Sequence, residues 1–305
     1  MVEIALALVP VFLVIGLGIF LRIIAFPGDH LWQPLERLTY FVLFPPLLFH
    51  TIVTADMSGD AVLPLAATFL IAVVSMGLLL ALLKPILPVS GPEFTSVFQG
   101  AVRWNGFVAL GVVSLLYGPP GVALAAVAFA TMVPTVNLMS VVVLTRYASG
   151  TAAGFKPALM AIVTNPLILA CIAGIAVKST GITLPQPILA TLKMLADATL
   201  ALGLLAVGVA LDLRAHAQKR FPLVFTTVLK LGLMPVLMLG ACWLTGTTGL
   251  ARDVALICAC VPGATSSYIL ARQLGGDATL MANLITVSTL LSIFTLPLWV
   301  LAMAP

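Results

Sequence analysis

Charge is scarce in this chain. Asp, Glu, Lys and Arg make up 8% of its 305 residues, against about 25% in soluble domains, too little to clothe a water-soluble fold of this length. The net charge of +4 is scattered, and no basic tract is present, which excludes nucleic acid as a partner. Histidine is nearly absent: His30, His50 and His216 are the three in the chain. No H-E-x-x-H, no paired metal-binding aspartates and no G-x-S-x-G occur, so no catalytic and no metal-ligating residues are expected. The four cysteines (Cys171, Cys242, Cys258, Cys260) lie in apolar runs. The last two are spaced for neither a C-x-x-C motif nor a zinc site, and all four read as small buried hydrophobes. The N-terminal stretch lacks the basic n-region and cleavage site of a signal peptide, and Glu3 is acidic; it reads as the first membrane helix. Long polar connections are missing too. The longest, about 147–156 and 212–220, leave no room for a soluble or signalling domain.

What is abundant is hydrophobicity, at 62% of residues. Runs long enough to span a bilayer, about 20 mostly apolar residues, fall at 3–25, 36–54, 61–84, 95–116, 121–146, 157–178, 187–211, 221–244, 253–274 and 278–302. The expectation is an all-α polytopic membrane protein of ten helices. Turn residues such as Ser90-Gly91-Pro92, Gly118-Pro119-Pro120 and Gly275-Gly276-Asp277 separate the runs. Arg22, Arg37, Lys84, Arg146, Lys156, Arg214, Lys219, Arg220 and Arg272 collect on one side, and Lys178 and Arg252 on the other. By the positive-inside rule the first side is cytoplasmic. Both termini then face outward from a plasma membrane, the inner membrane of a bacterium.

The chain also looks duplicated. Pro10 and Pro166, Leu31 and Leu184, Pro64 and Pro222, and Gly118 and Gly275 fall in order, 153 to 158 residues apart. Five helices per copy is an odd number, so the second copy enters the membrane from the opposite side. That makes residues 1–150 and 156–305 inverted repeats, an organisation typical of secondary transporters; chance recurrence of Pro and Gly in apolar helices is the alternative.

Each repeat carries a disruption inside its fourth helix: Asn105-Gly106 in the first and Pro262-Gly263 in the second. Pro262 lacks an N–H, and Gly263 lets the backbone turn. New half-helices would start near Phe107 and near Thr265, Ser266 and Ser267, with free N–H groups and positive dipole ends suited to an anion. Unsatisfied backbone is tolerated at membrane depth only against protein or a cavity. Asn105, Gly106, Phe107, Pro262, Gly263, Thr265, Ser266 and Ser267 are therefore the candidate substrate-binding residues. The competing reading is a kink, with hydroxyls bonded back to the preceding turn or joining helices.

Ionisable residues at membrane depth are costly and often functional. Arg103 and Lys230 are candidates to neutralise helix ends or attract an anion; snorkelling is the alternative for Arg103. Lys193 and Asp197, at i and i+4, read as an internal pair near a membrane boundary, with a proton relay as the alternative. Asn137, Asn165 and Asn283 read as helix-packing residues.

"YFVLFPPLLFHTI", "NPLILACIAGI", "LKLGLMPVLM" and the C-terminal block "VPGATSSYILARQLGGDATLMANLITVSTLLSIFTLPLWVL" resemble the auxin efflux carrier family, most closely its bacterial members. The resemblance implies two inverted five-helix repeats, with broken helices four and nine crossing at the substrate site. It also implies a scaffold of helices one, two, six and seven and a transport domain of helices three to five and eight to ten, moving as an elevator. The related bile acid sodium symporters share that fold. Carried over by motif, the first crossing falls at Asn105 and the second at Pro262 and the residues after it. The Gly-x-Pro that follows the Asn in plant members is missing, since Gly111 precedes Val112; this puts a full break in helix four in doubt.

The expected function is secondary-active transport of small organic anions, carboxylates such as malonate and malate or auxin-like weak acids. No cofactor is expected, and coupling to protons or sodium is left open. The expected partners are the organic anion and the lipid bilayer; a homodimer through the scaffold helices is the elevator precedent. The rivals are a sodium/proton exchanger or bile-acid-type sodium symporter, an intramembrane enzyme using Ser266 or Ser267, and a sensor. An exchanger would want an acidic residue at the crossing, and Asp197 and Asp212 are its candidates.

Overall fold

The computed structural model describes residues 2–54, 59–148, 164–211 and 219–303. Among these the chain is helical and strand-free: α1 Val2–Ile23, α2 Asp29–Leu38, a π-turn Thr39–Leu43, α3 Phe44–Thr54, α4 Gly59–Leu83, α5 Gly91–Val102 and α6 Gly106–Tyr147. Then follow α7 Pro166–Ser179, α8 Gln186–Ala210, α9 Arg220–Val228, a second π-turn Leu229–Leu233, α10 Met234–Thr245, α11 Gly249–Cys260, α12 Ser266–Gln273 and α13 Ala278–Met303. Asp212 and His216 lie outside the described residues.

Among the described residues, six stretches are long and apolar enough to cross a membrane: His30–Thr54, Val62–Leu83, Gly91–Tyr147, Gln186–Ala210, Arg220–Thr245 and Ala278–Ala302. Leu8–Ile23 and Pro166–Ser179 are shorter apolar helices. The protein is a polytopic membrane protein. Six is fewer than the ten runs read from the sequence, for a physical reason. A broken helix scores as two short ones, and two helices in close succession score as one. At about 1.5 Å per residue, the 57 residues of Gly91–Tyr147 would reach roughly 85 Å, far beyond a hydrocarbon core of about 30 Å. The run is interrupted twice. Residues 103–105 are non-helical, and Gly118, at φ 59 and ψ −152, leaves helical geometry just before Pro119-Pro120. That φ favours glycine.

Local sequence explains several boundaries. The fourth helix begins at Gly91 rather than near 95 because Ser90 forms a capping box. Its Oγ accepts from the Glu93 N–H, while Glu93 Oε2 accepts from the Ser90 N–H at 2.6 Å. The first π-turn ends two residues before Pro45-Pro46 and the second two residues before Pro235. Proline cannot donate to the carbonyl four residues back and crowds it. For Pro235 that carbonyl is Leu231, and the Trp299 indole N–H takes it at 2.8 Å.

Packing couples distant parts of the chain. α1 lies on α8, α3 on α7 and α8, α4 on α10, and α6 on both α4 and α11. The α1–α8 contact is glycine-mediated: a Cβ on Gly18 would sit 2.3 Å from the Leu205 carbonyl oxygen, and one on Gly208 would sit 2.0 Å from that of Ile15. Such close backbone approach is how small residues join membrane helices. α5, the start of α6 and α11 are buried at the centre of the molecule.

Candidate functional site

The two breaks touch. α5 ends at Val102, and Arg103 and Asn105 are extended. α11 ends at Cys260, Val261 is extended, and α12 starts at Ser266. Across the gap the Asn105 N–H donates to the Pro262 carbonyl at 2.9 Å. Each break thus satisfies part of the other's backbone, which is what makes two interruptions tolerable away from water. The first break is complete without a proline. Asn105 Oδ1 accepts from the N–H groups of Phe107 at 3.1 Å and Val108 at 3.2 Å, and this cap starts α6.

A cavity of about 90 Å³ lies beside the crossing. Arg103, Asn105, Gly106, Phe107, Thr265 and Ser266 line it, joined by Glu36, Tyr40, Asn137 and Ala264. Pro262, Gly263 and Ser267 do not, although the sequence placed them with the substrate. Pro262 serves the crossing with its carbonyl. The Gly263 N–H donates to Ser288 Oγ at 3.3 Å, and Ser267 is fully buried behind the break. Gly263 does not adopt the left-handed backbone that would require glycine, whereas a Cβ on Gly106 would come within 2.5 Å of the Phe129 ring.

Arg103 dominates the cavity. Its side chain does not snorkel: the residue is 7% exposed, Nη1 donates to Asn137 Oδ1 at 2.9 Å, and Nη2 donates to Ser266 Oγ at 3.1 Å. Both partners are neutral, and Nε has none. A buried guanidinium without a carboxylate partner is costly and attracts an anion. The dipole-positive starts of α6 and α12 reach the same space. Asn105 Nδ2, also at this cavity, is likewise buried without a partner, which native interiors rarely tolerate unless a ligand or water serves the group.

The other charged candidates sit elsewhere. Lys230, on the second π-turn, is 1% exposed and its ammonium has no hydrogen-bond partner; it lines neither this cavity nor the larger one below. Lys193 and Asp197 do pair, at 2.8 Å, but their side chains are 61% and 65% exposed. The pair is on the protein surface rather than internal, because i,i+4 spacing brings two residues together without saying which way their face points. Asn137 holds Arg103. Asn165 caps α7 through Leu167 and Ile168 and donates from Nδ2 to Tyr40 Oη at 3.2 Å.

Glu36 and Tyr40 were missed by sequence reasoning. Glu36 stood at the edge of the expected second helix, but the helix begins at Asp29. That earlier start draws Glu36 inward, where its Oε1 accepts from Thr265 Oγ1 at 3.2 Å. The Trp32-Gln33-Pro34-Leu35-Glu36 stretch, polar but flanked by large apolar residues, was the available signal. Glu36 and Thr265 also line a second cavity of about 600 Å³, with Arg22, Gln33, Tyr268 and Thr279 among its walls.

Two comparisons with known proteins bear on this geometry. Residues 198–305 match the Sodium Bile acid symporter family. An uncharacterized transporter of Methanothermobacter thermautotrophicus is 26% identical over 293 residues, covering 95% of each chain. Both support a membrane transporter. They also correct the resemblance to the auxin efflux carriers, because the C-terminal block that carried most of it, from Val261 onward, lies inside the stretch that matches the bile acid symporters. The quoted motifs are apolar runs punctuated by Pro, Gly and hydroxyl residues, and Gly/Pro-interrupted apolar segments occur in more than one transporter fold.

Proposed function

We propose that the chain is a secondary transporter of the bile acid sodium symporter type that carries an organic anion bound at the crossing of its two broken helices. The observation that carries this reading is the buried Arg103 guanidinium, held by Asn137 and Ser266 and facing a cavity beside the Asn105–Pro262 contact. A carboxylate or sulfonate seated there would meet that cation and the starts of α6 and α12. The neighbouring space of about 600 Å³ is within the ~300–1,000 Å³ usual for organic ligands and would take the body of an amphipathic acid.

Ten helices in two inverted repeats, 1–150 and 156–305, belong to this proposal. α1 packs on α8 through Gly18, and α7 packs on α3 around Gly174, whose added Cβ would lie 3.1 Å from Ile52. These glycines hold matching places in the two copies, which supports the duplication. Helices one, two, six and seven would form the scaffold, and the rest the moving domain. The Lys/Arg bias supports an inner-membrane location with both termini outside. Arg22, at the end of α1 on the side that bias marks as cytoplasmic, lines the larger cavity, so this conformation reads as inward-facing.

A second reading, a small mono- or dicarboxylate as substrate, rests on the 90 Å³ of the inner cavity. One experiment separates the two. Purified protein in liposomes is offered labelled taurocholate, malonate or malate, with and without an inward sodium gradient. Sodium-driven taurocholate uptake supports the first reading, and malonate or malate uptake indifferent to sodium the second. Uptake of none of them, with no anion-induced thermal shift, would remove the carrier reading.

A further inference from the structure

Two cavities meet at one side chain. Glu36 and Thr265 are the residues common to the larger vestibule and the inner cavity at the crossing. They are joined by the Thr265 hydroxyl donating to the Glu36 carboxylate at 3.2 Å. Glu36 comes from α2 and Thr265 from the second break, so the bond also bridges two parts of the fold. Among the described residues Glu36 supplies the only carboxylate lining either cavity, and it forms no ion pair with Arg103 or Arg22. An anion moving from the vestibule toward Arg103 must therefore pass a fixed group of its own charge.

We propose that Glu36 is an electrostatic gate to the anion site: latched by Thr265 between vestibule and inner cavity, its carboxylate repels an incoming anion until it takes up a proton. The other titratable groups facing it are few. Arg22 from α1, Tyr40 from the first π-turn, Arg103 from the first break and Tyr268 from α12 line the two cavities with it, while the α8 and α13 residues there are uncharged. Glu36 is the one carboxylate among these groups, and the gate turns on its proton. Protonation places the proton on a carboxylate oxygen, removes the repulsion, and leaves Arg22 in the vestibule and Arg103 in the inner cavity as the charges of the passage. Anion entry then carries a proton requirement.

The gate deepens the anion reading above and rests on it, yet its test needs no transport. Ala264 lines the inner cavity but not the vestibule, and the native cysteines are all buried. In an Ala264→Cys protein, the rate of modification by anionic sulfonatoethyl methanethiosulfonate is compared with that by its neutral methyl counterpart, with the parent protein as background. Adding Glu36→Gln should raise the anionic-to-neutral ratio about tenfold at pH 8, the scale expected for one charge met at several ångströms in a partly wet site. Lowering the pH from 8 to about 4, through the ordinary glutamate range, should raise the ratio when Glu36 is present and leave it flat in the Gln variant. A ratio unmoved by the substitution, or the same pH profile in both, overturns the gate. So does equal acceleration of both reagents, which would make Glu36 a steric plug. If the Gln variant fails to fold, the pH series on the Glu36 protein decides alone, and a flat ratio overturns the proposal. A charge-selective ratio in a protein that moves no anion would keep the gate and sink the carrier reading; a flat ratio beside live transport would do the reverse.

Discussion

The two breaks are built differently. At the first, Asn105 turns its side-chain oxygen inward and caps α6 through two N–H groups. At the second, no side chain caps α12, although three hydroxyl residues stand in a row there. Thr265 spends its hydroxyl on Glu36, and Ser266 accepts from Arg103. One break caps its own half-helix with a side chain; the other ties its hydroxyls to neighbouring elements, and the Ser267 and Tyr268 N–H groups at its half-helix turn back to the Ala264 and Thr265 carbonyls. Of the two interruptions, the self-capped one supplies a fixed frame and a fixed charge, and the uncapped one supplies contacts that can change.

That contrast is most sharply tested at Arg103, the charge carried by the first break. Arg103→Ala should weaken anion binding or raise its KM about 100-fold, since losing a buried hydrogen-bonded charge costs about 2–5 kcal/mol. Arg103→Lys should fall between, keeping the charge but losing the fork that reaches Asn137 and Ser266 together. Ser266→Ala, on the second break, should cost less than about fivefold, because it removes one neutral partner. Similar losses in Arg103→Ala and Ser266→Ala, measured by ligand-induced thermal shift, would erase the distinction.

The glycines give the next largest difference. Gly106→Ala drives a methyl to 2.5 Å from the Phe129 ring, whereas at Gly263 the nearest atoms are 3.9 Å away. Phe129 is 3% exposed and packs on Phe44 and Trp104, so it has little room to retreat. Gly106→Ala should destabilise by about 1–3 kcal/mol through overpacking, and Gly263→Ala by less than about 1 kcal/mol. Thermal unfolding of the purified variants decides, and the reverse order would mean that the second break is the tighter one.

Capping sets a smaller effect. Asn105→Ala should cost about 1–2 kcal/mol, the scale of a lost N-cap, and Thr265→Ala about half that or less, since its hydroxyl bonds a partly buried carboxylate rather than a helix end. Equal costs would show that the Thr265–Glu36 bond holds the fold rather than the passage.

These differences also mark what the sequence could disclose. The breaks were legible because Asn105-Gly106 and Pro262-Gly263 interrupt apolar runs at matching positions. Which hydroxyl meets which partner was not, because Glu36 and Thr265 are 229 residues apart and no local pattern encodes such a contact. The role of Gly263 was misread for a related reason: Pro-Gly suggests a turn that needs glycine, but the backbone there is ordinary. The Lys193–Asp197 pair was correctly spaced and wrongly placed. A helix apolar nearly all round carries no strong stripe to say which face is inside. The family went astray because grease and helix breakers are common to several carriers, while the residues that distinguish them are few.

The smallest expected effect lies away from both breaks, where the second break's helix joins the next. Lys219, before α9, reaches Asp277 at 2.8 Å and Glu93 at 2.6 Å. Asp277 in turn receives the Leu280 N–H and donates its own N–H to Pro92. The Asp277 and Glu93 carboxylates raise the Lys219 pKa above its ordinary value. A raised lysine contributes stability that is fully present below the unfolded pKa of about 10.4 and is lost only as pH climbs through the higher folded value. Between pH 6 and 9 this clamp should therefore add no slope to the unfolding temperature. With 45% of the lysine side chain exposed, solvent screening should hold the cost of Lys219→Met to under about 1 kcal/mol, shrinking further in 1 M salt. A cost above about 2 kcal/mol that salt does not reduce would show that this surface clamp, rather than the buried crossing, fixes the second break in place.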